Sequence, residues 1–278
     1  MEPVLVVKCG GHRAVDADTV CRDVAGLVRA GRPVVLVHGG SDQIDALAAR
    51  LGVPRREQVA PDGVPARHTD DATLEVVTLA LAGLVKPRMV TALHRYGARA
   101  VGLTGLDGGL LRARRKPPQR AIVDGRRVLV RDNRAGTVER VDIDVLLLLL
   151  RRGIVPVVSP PALAGDGEPV NVNADRAAAA VAAALRADLV LLTGAPGVQS
   201  DPADEGSVLA TCAVPRSGAP DRSARGGMAL KLVAAREALL GGVPRVRIAD
   251  GRGPGPVRAA LDGAGTEVLL RDELRVAG

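Results

Sequence analysis

The chain contains no phenylalanine, no tryptophan and one tyrosine, Tyr96, among 278 residues. Proteins that hold single strands of nucleic acid stack bases on aromatic rings. A chain with almost no such rings is expected to find its acidic partners elsewhere, although its net charge is +7. Cysteine is scarce too. Cys9, Cys21 and Cys212 form no Cys-x-x-Cys pair, which excludes a disulfide framework and a cysteine zinc site and points to a reducing, cytoplasmic setting. The four histidines show no ligand spacing, so no protein-built metal cage is expected. No uninterrupted apolar run nears the roughly 20 residues of a membrane span. Leu146–Leu150 is bounded by Asp144 and Arg151, and Met1-Glu2-Pro3 leads straight into a strand with no signal peptide visible. The Gly-x4-Gly-Lys-Ser/Thr phosphate loop is missing as well. Only four of the 38 basic residues are lysine, namely Lys8, Lys86, Lys116 and Lys231. In so arginine-rich a chain, a retained lysine marks either a place that wants a compact ammonium or chance retention.

What is present begins with two strand-like runs that each end in a glycine pair. Val4–Lys8 continues into Cys9-Gly10-Gly11, and Val34–Val37 into His38-Gly39-Gly40-Ser41. A strand ending in Gly-Gly lets backbone N–H groups approach an anion with no Cβ in the way, and a following helix adds the positive end of its dipole. Two such cradles close in sequence suit two anionic groups held together, the layout that phosphoryl transfer needs. Cys9 reads as a small buried filler and His38 as a structural residue at a strand end.

Periodicity gives alternating strands and helices: strand 4–8, helix 17–30 closed by Gly31, strand 34–38, and helix 41–51 with Ser41 as N-cap and Gly52 as its stop. A loop-like stretch covers 53–68, and helix 70–96 is expected to break or kink at Pro87. Strand 99–103 follows, then a hairpin over 120–131 turning at Asp124-Gly125, helix 142–152, and strand 154–159 running into Pro160-Pro161. The remainder reads as helix 175–186, strand 188–193, a loop carrying Pro202, Pro215 and Pro220, helix 227–240, strand 245–249, helix 254–261 and strand 266–270. Such alternation predicts an α/β fold with a mainly parallel sheet between helical layers.

Two segments carry further chemistry. In Asn171-Val172-Asn173-Ala174-Asp175, an acid opens an alanine-rich helix; it is either a cap or a functional carboxylate. In Gly226-Gly227-Met228-Ala229-Leu230-Lys231, a lysine lies early in a glycine-led helix, on a solvated face or beside a ligand. Taken together, Lys8 and Lys231 could neutralise a moving phosphoryl group from two sides while Asp175 steadies both.

In this order, Lys8-Cys9-Gly10-Gly11, His38-Gly39-Gly40, Arg67-His68-Thr69-Asp70, Asn171-Val172-Asn173-Ala174-Asp175 and Gly227-Met228-x-x-Lys231 resemble the amino acid kinase family, in its N-acetylglutamate kinase pattern, over residues 4–270. The resemblance implies a three-layer αβα sandwich with an acceptor-binding lobe at 1–170 and an ATP-binding lobe at 171–278. It further implies ATP and Mg2+ as cofactors, and an acyl phosphate as product. By position, Lys8, Lys231 and Asp175 are the catalytic set. Gly10, Gly11, Thr193, Gly194, Gly197, Val198, Gly227 and Met228 face the nucleotide. Gly39, Gly40, Arg67, Asn171 and Asn173 face the acceptor, with Arg67 on its α-carboxylate. Many family members carry an acid where this chain has Gly194.

Gly105-Leu106-Asp107-Gly108, Gly136-Thr137-Val138-Glu139 and Ser159-Pro160-Pro161-Ala162-Leu163 resemble the branch whose acceptor, aminoadipate or glutamate, is tethered by its amine to a small acidic carrier protein. Acetylglutamate or acetylaminoadipate kinase is the alternative, and a silent regulatory protein on the same fold a third. Charge bears on the choice. Residues 110–135 hold nine basic and two acidic residues, so their net +7 equals that of the whole chain. Arg112, Arg114, Arg115, Lys116, Arg120 and Arg131 are the candidate docking residues, expected on a basic hairpin beside the acceptor lobe. With no extra helix ahead of the first strand, a homodimer is expected in place of an arginine-regulated hexamer. Neither nucleic acid nor membrane is expected as a partner.

Overall fold

The structure, a computed structural model, describes residues 2–11, 14–59, 65–123, 126–218 and 226–271. The elements run β1 (Leu5–Cys9), α1 (Ala17–Arg29), β2 (Val34–His38), α2 (Ser41–Leu51), β3 (Glu57–Val59), β4 (Pro65–Arg67) and α3 (Asp71–Thr78). A π-helical segment, Leu79–Val85, leads into α4 (Lys86–Arg95), followed by β5 (Ala100–Gly105), β6 (Leu111–Arg115), β7 (Gln119–Val123), β8 (Arg126–Val130) and β9 (Gly136–Val141). Then come α5 (Asp144–Arg151), β10 (Val155–Ala164), β11 (Pro169–Val170), α6 (Ala174–Leu185) and β12 (Asp188–Thr193). The chain closes with β13 (Thr211–Val214), α7 (Gly226–Leu240), β14 (Val246–Asp250), α8 (Pro256–Leu261) and β15 (Thr266–Leu270).

The main sheet has the order β13-β15-β14-β12-β1-β2-β10-β6-β9, with β5 and β11 also paired to β10. It is mainly parallel. Helices α5, α6 and α7 pack on one face and α1, α4 and α8 on the other, giving the three layers of an αβα sandwich. The pleat assigns side chains to the two layers: Val6 belongs to the core under α6 and α7, Leu5, Val7 and Cys9 to the core under α1 and α4. Lys8, two residues after Val6, therefore points toward α6 and α7. A second sheet, β4-β3-β7-β8, stands apart from the first.

Several expectations are corrected. Ser41 is the first residue of α2, not its cap; Gly40 caps, and the Ser41 hydroxyl donates to the Gly11 carbonyl at 3.1 Å. The loop at 53–68 contains β3 and β4, an antiparallel pair. The helix does not break at Pro87. Proline lacks the N–H that the preceding turn would use, and the widened π register ahead of it keeps Asp71–Arg95 continuous. That run is long and apolar enough to cross a membrane by length and composition, yet Met89, Ala92 and Leu93 are buried against the sheet. Strand β10 runs through Pro160-Pro161, joined by a cis bond. Its ladder to β5 and β2 stops by Ser159, and that to β11 and β6 starts at Ala162, so neither proline has to donate. Strand β13 lies in what read as loop. The Asp124-Gly125 turn and Pro220 are outside the described residues.

Candidate active site

The carboxyl ends of β1, β2 and β12 and the amino ends of α6 and α7 surround a cleft of about 620 Å³. Asn173 caps α6: its Oδ1 accepts the backbone N–H groups of Asp175 and Arg176 at 2.9 and 3.1 Å. The cap places Asp175 in the first turn, aimed at the end of β1. Lys8 Nζ lies 2.8 Å from Asp175 Oδ1 and Lys231 Nζ 3.2 Å from Oδ2. All three residues are buried. Burial alone would push the Asp175 pKa up, but the two ammonium groups outweigh it and hold the carboxyl at about 2. Burial pulls the Lys231 pKa down, and the Asp175 charge opposes that. Arg176 makes a two-armed pair with Glu237 of α7, at 2.8 and 2.6 Å. The helices carrying Asp175 and Lys231 are thereby fastened to each other.

The two glycine cradles are one structure. A Cβ on Gly11 would stand 2.7 Å from Ser41 N and 2.8 Å from Gly40 Cα, so the loops touch backbone to backbone. A Cβ on Gly40 would meet Leu81 Cδ2 at 2.8 Å, which seats the π-helical segment under the second loop. Behind the loops, the buried Cys9 thiol is pushed up to about 12 by desolvation. Burial pulls His38 down to about 4; its Nδ1 donates to the Gly39 carbonyl at 3.0 Å.

Of the expected site residues, Lys8, Gly10, Gly11, Gly39, Gly40, Arg67, Asn171, Asn173, Asp175, Thr193, Gly194, Gly227, Met228 and Lys231 line this one cleft. Gly197 and Val198 do not. Val198 is a core residue whose N–H donates to Thr266 Oγ1 at 2.9 Å, and a Cβ on Gly197 would strike that oxygen at 2.8 Å. Close packing on Thr266 explains their residue types. The Asn173 oxygen is committed to the cap, which leaves its Nδ2 for the cleft. Arg67 Nη2 lies 2.6 Å from Asp45 Oδ1, an acid on α2 that sequence reasoning missed because nothing in the chain pattern joins residues 45 and 67. The apolar wall of Ile44, Leu81, Pro160 and Val172 was missed as well; these residues look like ordinary core in sequence.

The docking residues do not share one hairpin. Arg112, Arg114 and Arg115 lie on β6 of the main sheet, and Lys116 follows them. Arg131 leaves β8 of the second sheet, and the side chain of Arg120 is outside the described residues. β6 pairs antiparallel with the edge strand β9, so Arg112 and Arg114 alternate outward while Leu111 and Ala113 turn inward. Arg114 Nε pairs with Glu139 at 2.6 Å.

Residues 3–250 match the Amino acid kinase family. The chain belongs to that family. It is 40% identical over 268 residues to a [LysW]-aminoadipate kinase of Thermus thermophilus, covering 95% of this chain and all of that protein. It is 40% identical over 211 residues to an acetylglutamate kinase of Methanocella arvoryzae, covering 74% of this chain and 68% of that one. Among solved structures, the N-acetylglutamate synthase of Neisseria gonorrhoeae complexed with coenzyme A and N-acetyl-glutamate superposes with a TM-score of 0.75 at 26% identity. That match covers 97% of this chain but 60% of the synthase chain. As a member of a kinase family the chain uses ATP, and the cleft fits a nucleotide's anionic end: paired ammonium groups face two glycine loops free of side chains. Asp175, the one carboxylate among the described lining residues, is occupied by both lysines. A magnesium ion would therefore be held mainly by the phosphates that bring it.

Proposed function

We propose that this amino acid kinase transfers the γ-phosphoryl group of ATP to the side-chain carboxylate of an acidic amino acid whose amine is tethered to a small acidic carrier protein. The observation that carries the reading is the shared Asp175 between Lys8 and Lys231, set in one cleft with Arg67. Lys8 and Lys231 neutralise the phosphoryl oxygens in flight, and Asp175 fixes the ammonium groups so that no reorganisation is needed at the moment of transfer. Gly10, Gly11 and Gly40 present backbone donors. Magnesium, when bound, supplies charge neutralisation between the phosphates. Arg67, Asn171 and the free Nδ2 of Asn173 hold the acceptor with its side-chain carboxylate toward the lysines. Residues 1–170 act as the acceptor lobe and 171–278 as the ATP lobe. The cleft is walled by both. Identity to the Thermus kinase over nearly the whole chain favours a carrier-linked acceptor, as do the outward arginines of β6. An acetylated acceptor is the second reading, favoured by identity to acetylglutamate kinases.

Two further expectations belong to the same proposal. The protein works as a homodimer, as the resemblance implies. The enzyme works in a reducing cytoplasm, consistent with Cys9 and Cys21 as buried thiols outside any disulfide. The deciding experiment measures acyl-phosphate formation as hydroxamate, on carrier-linked aminoadipate or glutamate and on the N-acetyl amino acids. Turnover of the carrier-linked acceptor should drop steeply between low salt and about 0.3 M, where the screening length falls below about 8 Å. Turnover of N-acetyl acceptors should barely change. A flat profile for the carrier removes the docking claim, and absence of hydroxamate from every acceptor removes the function.

A further inference from the structure

Thr69 is fully buried and does not itself line the cleft, yet two acceptor-side residues depend on it. Its hydroxyl donates to the Arg67 carbonyl at 3.3 Å. With that hydrogen committed, Oγ1 can only accept, and it accepts from Asn171 Nδ2 at 3.2 Å. The Asn171 carboxamide is therefore held in one orientation, with its oxygen and second N–H left for the cleft. Thr69 is held in turn: its own N–H donates to Asn133 Oδ1 at 3.2 Å, and its carbonyl accepts from Arg134 N at 2.6 Å. The Asn171 backbone is bridged to the same stretch, donating to the Arg134 carbonyl at 2.7 Å and accepting from Gly136 N at 2.8 Å. Residues 133–136 lie on the link from β8 of the second sheet to β9 of the main sheet. The path from the second sheet into the acceptor side of the cleft is a run of buried and part-buried hydrogen bonds, with Thr69 at its centre.

We propose that Thr69 and Asn133 are positioning residues for the acceptor, acting through the Asn171 carboxamide and the Arg67 backbone. Neither is expected to touch substrate. The proposal rests on the reading that Asn171 and Arg67 face the acceptor, and it adds what holds them there. A buried polar group deprived of its partner rearranges or pays the full desolvation cost. Removing the Thr69 hydroxyl frees the Asn171 carboxamide to rotate, while the Lys8–Asp175–Lys231 set, on other elements, is undisturbed. The consequence falls on acceptor binding and leaves the nucleotide alone.

The test uses Thr69→Val, close to isosteric, with Thr69→Ser as the conservative rescue and Asn133→Ala as an independent variant should the first fold poorly. Steady-state kinetics are run with ATP and with whichever of carrier-linked aminoadipate, N-acetyl-L-aminoadipate or N-acetyl-L-glutamate the wild type turns over fastest. Thr69→Val is expected to raise the acceptor KM about tenfold, leave the ATP KM within about twofold, and recover to within about twofold of wild type in Thr69→Ser. Asn133→Ala should move the acceptor KM the same way. The double variant should fall short of the product of the two effects, because both act on one path. Equal changes in the two KM values, or a lower Tm with both KM values unmoved, would overturn the proposal. A wild type silent on all three acceptors defeats the functional reading itself, and the positioning role with it.

Discussion

Gly11 and Gly40 meet backbone to backbone, so closely that no Cβ fits on Gly11. Two loops 29 positions apart in the chain thus form a single floor under the ammonium pair. Gly11→Ala must push the second loop, and with it the start of α2, away from the first. ATP-dependent turnover is expected to fall at least about a hundredfold, the scale of losing one oriented backbone donor. The circular dichroism spectrum should stay native. Turnover within a factor of two of wild type would contradict the single-floor geometry.

Lys8→Ala and Lys231→Ala should each lower kcat by about 10²–10³. Arginine should rescue neither, since a planar fork cannot sit where a compact ammonium lies 2.8 or 3.2 Å from a shared carboxylate. Hydroxamate yield at saturating ATP checks this. Full signal in either alanine variant would remove the role given to that lysine.

Stability should decline with acid in two stages. His38 is held at about 4 against an ordinary 6.5 by burial. Between those values the unfolded chain binds a proton that the folded chain refuses, so stability falls as pH drops through that window, by about 3 kcal/mol in all. Asp175, depressed from 3.8 to about 2, contributes stability that is present above 3.8 and lost as pH falls toward 2. In a series of Tm measurements against pH, His38→Gln should flatten the upper stage and leave the lower one. An unchanged upper slope in that variant would assign the loss to other groups.

Asp45 shares its two oxygens between Arg67 and Arg55, at 2.6 and 2.9 Å. Asp45→Ala frees the Arg67 guanidinium to swing, and Arg67→Lys removes the fork. Both should raise the acceptor KM, the second by at least about tenfold, with the ATP KM unchanged. A parallel rise in both KM values would place Arg67 outside the acceptor subsite.

Reversing charge at Arg112 and Arg114 should raise KM for the carrier-linked acceptor while sparing N-acetyl substrates and ATP. The effect should shrink with salt, because such charges steer encounter more than they hold the complex. An equal effect on the N-acetyl acceptor would mean that β6 acts on the cleft itself.

Much of the site was legible along the chain because its parts are short and local. Gly-Gly after a strand, Asn-x-Asn-x-Asp before a helix and Gly-Gly-x3-Lys at a helix start each advertise a chemistry within a few residues. Reading failed where residue type had two explanations. Gly197 and Val198, expected at the nucleotide, lie off the cleft lining and pack on Thr266. Ser41 looked like a cap but ties one glycine loop to the other. The arginines of 112–131 looked like one hairpin because sequence distance cannot tell which sheet a strand joins.

From sequence alone came the alternating α/β order, the identity of the two ammonium groups and their acid, and the surplus of positive charge in one segment; periodicity, spacing and composition are properties of a line of residues. Folding decided that Lys8 faces α6 and α7 while Cys9 faces α1 and α4, that Asp175 is reached from both sides, and that Thr69 braces Asn171 across 102 positions. Those contacts depend on strand register, on helix caps and on which backbone groups are left over when a ladder ends, all settled only when distant segments compete for the same hydrogen bonds and the same buried space.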